Sequence, residues 1–115
     1  HAGDELPLAR EGSSLAEVIA VISAKGYGCA FMIDGDGKLA GIITDGDLRR
    51  HPGLPLGTPA QGIMTKRPRT ISPEALLADA LDIMQTAKIN VLIIVEDERP
   101  IGLVHLLDLL RKGVA

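Results

Sequence analysis

Aliphatic residues fall into two patterns along this chain, and the same succession of patterns occurs twice. Helical spacing puts Leu15, Val18, Ile19 and Ile22 on one stripe and Leu76, Leu77, Ala80, Leu81 and Met84 on another. Each stripe is followed by two short, nearly continuous apolar runs, 29–33 and 39–43 in the first case, 91–95 and 101–104 in the second. Such runs suit strands covered on both faces. The residues between them, 34–38 and 96–100, carry hairpin-turn chemistry. A short extended lead-in (6–10; 69–72) precedes each stripe, and a final helix (47–50; 108–112) closes each unit. The expected fold class is α/β of an α+β-like kind: two β-α-β-β-α repeats packed with pseudo-twofold symmetry.

The repeat has an offset of 61 residues, with 7–50 laid on 68–111 without a gap. Matched positions include Pro7/Pro68, Leu15/Leu76, Ile22/Ile83, Asp36/Asp97, Gly41/Gly102, Asp47/Asp108, Leu48/Leu109 and Arg50/Arg111. The expected boundaries are repeat 1 with its lead-in over 1–50, a linker over 51–67 and repeat 2 over 68–115. Ser13 or Ser14 is expected to cap the first helix, with Glu17 at capping-box spacing, and Ser72 the second, with Pro73 in its first turn. Gly26 and Gly28 end the first helix, and Lys88 stands at the end of the second. In the connector, Thr58-Pro59 is a start signal for a short helix through Met64.

Composition narrows the function classes. The chain has 115 residues, 46% hydrophobic but only 2% aromatic, so Val, Ile, Leu and Ala must build the core. A net charge of −3 and a single Tyr and Phe supply neither the electrostatic footprint nor the stacking surface for nucleic acid, so no nucleic-acid partner is expected. The one cysteine, Cys29, lies in an apolar run and is expected to be packing rather than a nucleophile. With no disulfide possible within the chain, no secretory signal and no span-length apolar stretch, a cytoplasmic setting off the membrane is expected. The chain opens His1-Ala2-Gly3-Asp4 without an initiator Met, the expectation for a fragment of something longer.

Both repeats end alike: Gly41-Ile-Ile-Thr44-Asp-Gly-Asp47-Leu48 and Gly102-Leu-Val-His105-Leu-Leu-Asp108-Leu109. Thr44 and His105 stand where a strand finishes and a helix begins, beside backbone N–H groups that favour an anion. Asp47 and Asp108 follow one turn later, where a carboxylate can accept hydrogen bonds from ribose hydroxyls. The simpler reading is that each Asp only caps its helix; recurrence of the same ending tips the balance toward a site. Lys66, Arg67 and Arg69 form a basic cluster in an acidic chain, either a solvated linker or counter-charge for an anionic ligand. The loop 34–45 fails as a calcium site, because Lys38 and Leu39 occupy positions that need a ligand and a glycine. His1, His51 and His105 lack metal-ligand spacing, so no metal and no catalytic residue is expected.

Two β-α-β-β-α units with these endings resemble a tandem cystathionine-β-synthase (CBS) pair, or Bateman module, over essentially the whole chain. The segments Gly3-Asp4-Glu5-Leu-Pro7, Gly41 through Arg50, Ile63-Met-Thr65, Ala80-Leu-Asp-Ile-Met84 and His105 through Gly113 are further similar to the C-terminal half of D-arabinose 5-phosphate isomerases. That resemblance implies a regulatory module of an isomerase serving Kdo and lipopolysaccharide synthesis, whose sugar-isomerase domain is absent from this sequence. It also implies that Thr44 and Asp47, and His105 and Asp108, contact ligand phosphate and ribose. The strand-to-helix geometry and the pseudo-twofold of the repeat offset lead us to expect Thr65, Lys66, Arg67, Arg69 and Asn90, from the other repeat, to close the Thr44–Asp47 cleft. His105 departs from the usual Ser or Thr, and Gly62 from the Asp common before Ile-Met-Thr. No cofactor is required. The implied ligand is a nucleotide or nucleotide-sugar, CMP-Kdo or an adenine nucleotide, and the implied partner a second copy bound through CBS helices bearing Ile19, Ile22, Leu106, Leu107, Leu109 and Leu110. The competing expectation is a structural oligomerisation module with vacant clefts.

Overall fold

The computed structural model describes residues 6–111. The quoted segment at 3–5, Lys112 and Gly113 therefore lie outside the described residues. The chain divides into two units, one over Pro7–Pro68 and one made of the residues from Arg69 onward together with Leu6.

In the first unit β1 (Leu8–Arg10) runs parallel to β2 (Cys29–Ile33), which pairs antiparallel with β3 (Leu39–Thr44). Between β1 and β2 lies α1 (Leu15–Lys25), and α2 (Asp45–Arg49) follows β3 directly. The Ser14 hydroxyl accepts the Glu17 N–H while the Glu17 carboxylate accepts the Ser14 N–H, the reciprocal box its spacing implied. Those bonds also hold the Glu17 carboxyl below the usual glutamate range, the contact with the Ser14 backbone contributing most. Gly26 stops the helix at φ 76°, a left-handed conformation that glycine adopts without a Cβ clash.

Residues 51–67 do more than connect. The Ser13 carbonyl accepts the Ala60 N–H, and the Thr58 and Leu56 carbonyls accept the Leu15 and Ala16 N–H groups at 2.9 and 3.0 Å. The connector thus satisfies the first-turn amides that every helix leaves without an intrahelical acceptor. A 3₁₀ turn at Ala60–Gly62, shorter than the helix expected through Met64, places Ala60 in the core with Ala9, Leu15, Val18, Ile22, Ala30, Met32 and Ile43. The chain then forms β4 (Thr65–Lys66), antiparallel to β3, completing a sheet of order β1-β2-β3-β4. Gly41 permits this: a Cβ there would sit 2.7 Å from the Thr65 carbonyl oxygen and 2.8 Å from the Met64 sulfur.

The second unit repeats the plan with β5 (Thr70–Ile71) parallel to β6 (Val91–Glu96), β7 (Arg99–His105) antiparallel to β6, and helices α3 (Leu77–Ala87) and α4 (Leu106–Leu109). Its core joins Ala80 and Met84 of α3 to Leu92 and Leu109.

The two units correct the gapless offset. Leu15 at the head of α1 answers Leu77 at the head of α3, and the pair Leu8/Phe31 answers Thr70/Ile93, each 62 residues on. Beyond the hairpin the spacing drops to 61, with Thr44 answering His105. The lost residue is in the turn. Ile33 pairs with Leu39 across a loop closed by Asp34, whose Oδ1 accepts the Asp36 and Lys38 N–H groups. Glu96 pairs with Arg99 across two left-handed residues, Asp97 (φ 53°) and Glu98 (φ 66°), the geometry of a two-residue hairpin. The pairings Pro7/Pro68, Leu15/Leu76 and Ile22/Ile83 are therefore one residue out of step.

Ser72 fails as a cap for a related reason. Its carbonyl accepts the Ala75 N–H in a turn that has Pro73 at the position where a preset φ is favoured. The helix begins only after Leu76, which makes no side-chain cap bond. Leu76 and Leu77 are consequently 69% and 56% exposed, not part of a buried stripe. Lys88 does end α3, in a left-handed conformation at φ 57°.

Candidate functional site

The end of β3 feeds α2 through a second reciprocal box. Both closing helices start two residues earlier than the sequence pattern indicated, so Thr44 and His105 are the caps and the two aspartates lie inside the first turn. The Thr44 hydroxyl oxygen accepts the Asp47 N–H at 3.2 Å, and Asp47 Oδ2 accepts the Thr44 N–H at 2.9 Å. The hydroxyl also lies 3.1 Å from Oδ2, placed to donate to it. The other carboxylate oxygen, Oδ1, is in a close ion pair with the Arg50 guanidinium. Asp47 is only 7% exposed, while the Arg50 side chain is 67% exposed. The acid is sunk into the unit and presents a cation to solvent.

Two further contacts set this geometry. The Gly28 carbonyl accepts the Asp45 N–H at 3.0 Å, tying the start of α2 back to the residue before β2. A Cβ on Gly46 would lie 3.3 Å from Arg50 Nη1, so the small residue gives the guanidinium room to fold back. Neither Gly28 nor Arg50 was singled out from sequence as a site residue. The signal for Arg50 was the acid–base spacing of three from Asp47, together with its recurrence as Arg111.

Thr65 and Lys66 do not come from the other repeat as expected: the β4 pairing holds them in the same unit as Thr44, opposite Ile42 and Gly41 of the strand that Thr44 ends. Both are exposed, as is Arg67, which takes a left-handed φ of 54°. The first unit therefore brings together Thr44, Asp47 and Arg50, and borders their strand with Thr65 and Lys66.

Arg69, Asn90, His105 and Asp108 belong to the second unit. There His105 takes Thr44's place as the cap, its ring Nδ1 accepting the Leu107 N–H at 3.3 Å. In this arrangement Nδ1 is an acceptor, so a cationic His105 facing a ligand would have to give up its cap. Asn90 enters through its backbone: its carbonyl accepts the Leu106 N–H at 2.8 Å, the counterpart of the Gly28 contact. Arg69 is exposed just ahead of β5, and Asp108 lies in the first turn of α4.

Cys29 is 2% exposed at the start of β2. Burial, with a smaller contribution from the Asp45 charge, pushes its thiol up to about 12. That is the opposite of an activated nucleophile. No cluster of His, Cys, Asp or Glu among the described residues is arranged to hold a metal ion, and no described helix is long and apolar enough to cross a membrane.

Comparison with known proteins fits this architecture. The CBS domain model matches residues 4–53 and 60–115. The chain belongs to the CBS domain family, as a tandem pair. It is 42% identical over 120 residues to the arabinose 5-phosphate isomerase KdsD of Pseudomonas aeruginosa, covering 99% of this chain and 36% of that protein. It is 44% identical over 117 residues to an uncharacterized protein of Rickettsia prowazekii, covering 100% of this chain and 36% of that one. The chain thus spans about a third of the length of these relatives. Among solved structures it is similar to CBSX2 in complex with AMP, with TM-score 0.83 at 20% identity over 98% of this chain and 90% of that one.

Proposed function

We propose that this CBS pair is the ligand-sensing regulatory region of an arabinose 5-phosphate isomerase, acting without catalytic residues of its own. The observation that carries the reading is the buried Asp47 carboxylate, split between the Thr44 cap and an exposed Arg50. A nucleotide meets complementary chemistry there: hydroxyls for Asp47 Oδ1, and a phosphate for Arg50 with Lys66 and Arg67 on the same unit. The likeness to KdsD over nearly the whole chain supports the parent activity, and the AMP-bound CBSX2 structure supports an adenine nucleotide as one ligand.

If the parent enzyme supplies Kdo and lipopolysaccharide synthesis, the economical signal is the activated sugar of that pathway, CMP-Kdo. Its ribose, single phosphodiester and carboxylate call for one acid and several cations, which Asp47, Arg50, Lys66 and Arg67 offer on the first unit. Thr65 is a further contact on that unit, while His105 and Asp108, with Asn90 and Arg69, form the corresponding end of the second repeat. The setting proposed is cytoplasmic, with the protein a homodimer and small molecules its partners.

Calorimetric titration with CMP-Kdo, CMP, AMP and ATP tests the assignment, together with thermal melting, since a ligand of the folded state raises the midpoint. CMP-Kdo binding tighter than the others, weakened by neutralising Lys66 and Arg67, is expected. Preference for AMP or ATP retains the sensing role and replaces the ligand. Silence across the panel favours the second reading, a structural oligomerisation module. One observation speaks for that reading: the capping box accounts for Thr44 and Asp47 without any ligand.

A further inference from the structure

We propose that Arg50 makes this site select nucleotides over nucleosides by exchange: its guanidinium holds one oxygen of Asp47 until ribose hydroxyls take that oxygen, and it then turns to the ligand's phosphate. The proposal rests on the reading of Asp47 and Arg50 as nucleotide contacts and adds what the unliganded site does with its charges. Each oxygen of the Asp47 carboxylate has its own partner. Oδ2 accepts the Thr44 N–H at 2.9 Å and lies 3.1 Å from the Thr44 hydroxyl, bonds that a ligand cannot take without loosening the start of α2. Oδ1 is bound to Arg50 Nη2. The other amino nitrogen, Nη1, lies 3.3 Å from where a Cβ on Gly46 would stand, so the guanidinium is folded back across the first turn of the helix that Arg50 ends. Asp47 is 7% exposed and the Arg50 side chain 67%, which puts the cation on the solvent side of the acid. A ligand hydroxyl reaches Oδ1 by moving that cation aside.

A buried carboxylate without a partner is costly, so Asp47 needs a cation or donors in every state. Arg50 serves in the free protein from three residues away. When ribose hydroxyls replace it, the acid keeps its hydrogen bonds but the ion pair is lost. A neutral nucleoside gives the displaced guanidinium nothing in return. A nucleotide does, because phosphate is a bidentate partner for a guanidinium. A second cation stands ready there: Arg49 Nη2 lies 3.9 Å from the same point above Gly46, and two like charges so close favour an anion between them. The absence of a side chain at Gly46 keeps that space open. We assign the exchange to the first repeat alone, since the corresponding Asp108 is only partly buried and is less dependent on one partner.

Calorimetric titration of the protein and of Arg50→Gln with AMP, adenosine, CMP and cytidine tests the exchange. The variant is expected to bind the monophosphates about tenfold more weakly and the nucleosides about three- to fivefold more tightly, the effects of one lost charge-assisted bond and one removed, partly exposed ion pair. Arg50→Lys keeps the charge without the planar fork, and is expected to fall between the two proteins for both kinds of ligand; it repeats the test should the melting midpoint show that Arg50→Gln is poorly folded. Weaker monophosphate binding with nucleoside binding unchanged, or undetectable throughout, leaves Arg50 a simple phosphate contact: the sensing reading stands and the exchange is overturned. Any other result in a folded variant except opposite changes for the two kinds of ligand overturns it too. If the unaltered protein binds none of the four, the sensing reading fails and the exchange falls with it.

Discussion

Asp47 and Arg50 stand one helical turn apart in an ion pair that joins a side chain with almost no exposure to one that is two-thirds exposed. Because the other Asp47 oxygen accepts the Thr44 N–H, the aspartate cannot be removed without loosening the start of α2. Asp47→Ala is therefore expected to destabilise the protein by about 1 kcal/mol, the usual loss for a helix cap, besides weakening ligand binding. Arg50→Gln is the cleaner probe. Chemical denaturation should show near-native stability for it, while calorimetry shows weaker binding of an anionic ligand.

Gly41 faces the backbone of the neighbouring strand at a distance no Cβ tolerates. Gly41→Ala is expected to push β4 off β3 at a cost of about 1–3 kcal/mol, in the range of other overpacked substitutions. Faster amide exchange confined to 64–66 and 41–42 would locate the damage, and an unchanged melting midpoint would contradict the strand pairing described above.

Cys29 should be inert in the native protein at neutral pH. Burial raises its pKa to about 12, so between its ordinary value and that point the unfolded chain has lost a proton that the folded chain retains. Stability on this account falls as pH rises through the alkaline range and is untouched at lower pH. Thiol titration with a chromogenic disulfide should give no rapid reaction until denaturant is added.

The proposed dimer separates two isoleucines of one helix. Ile22 is 6% exposed in the core, and Ile22→Ala is expected to cost about 2–5 kcal/mol in denaturation. Ile19 is 36% exposed, and Leu107 and Leu110 are 54% and 40% exposed, so these three remain free to face a second copy. Ile19→Ser should leave stability within about 0.5 kcal/mol. A shift toward monomer in sedimentation would place Ile19 at the interface, whereas an unchanged association state would remove it. Leu109 and Ile22 no longer belong on that face, because both are core residues.

Local rules were enough for much of this protein. The Ser14–Glu17 box, the Gly26 stop, β2 from Cys29 to Ile33 and the Asp34 turn follow from interactions within a few residues, so the sequence pattern alone located them. The repeat and its shared Gly-apolar-apolar ending were equally legible, and with them the family. Tertiary structure decided the rest. A one-residue difference in hairpin length is silent in a list of matched letters, yet it shifts every pairing ahead of it, because strand register counts residues between hydrogen-bonded partners. Leu76 and Leu77 looked like a core stripe because helical spacing records which residues share a face, not whether anything covers that face. The connector looked like a linker because its Pro and Gly content describes local flexibility, while its contacts with α1 and β3 are made through space. Asp47 was visible as an acid, but the division of its two oxygens between a cap and a cation emerges only once α2 has turned back over the strand end.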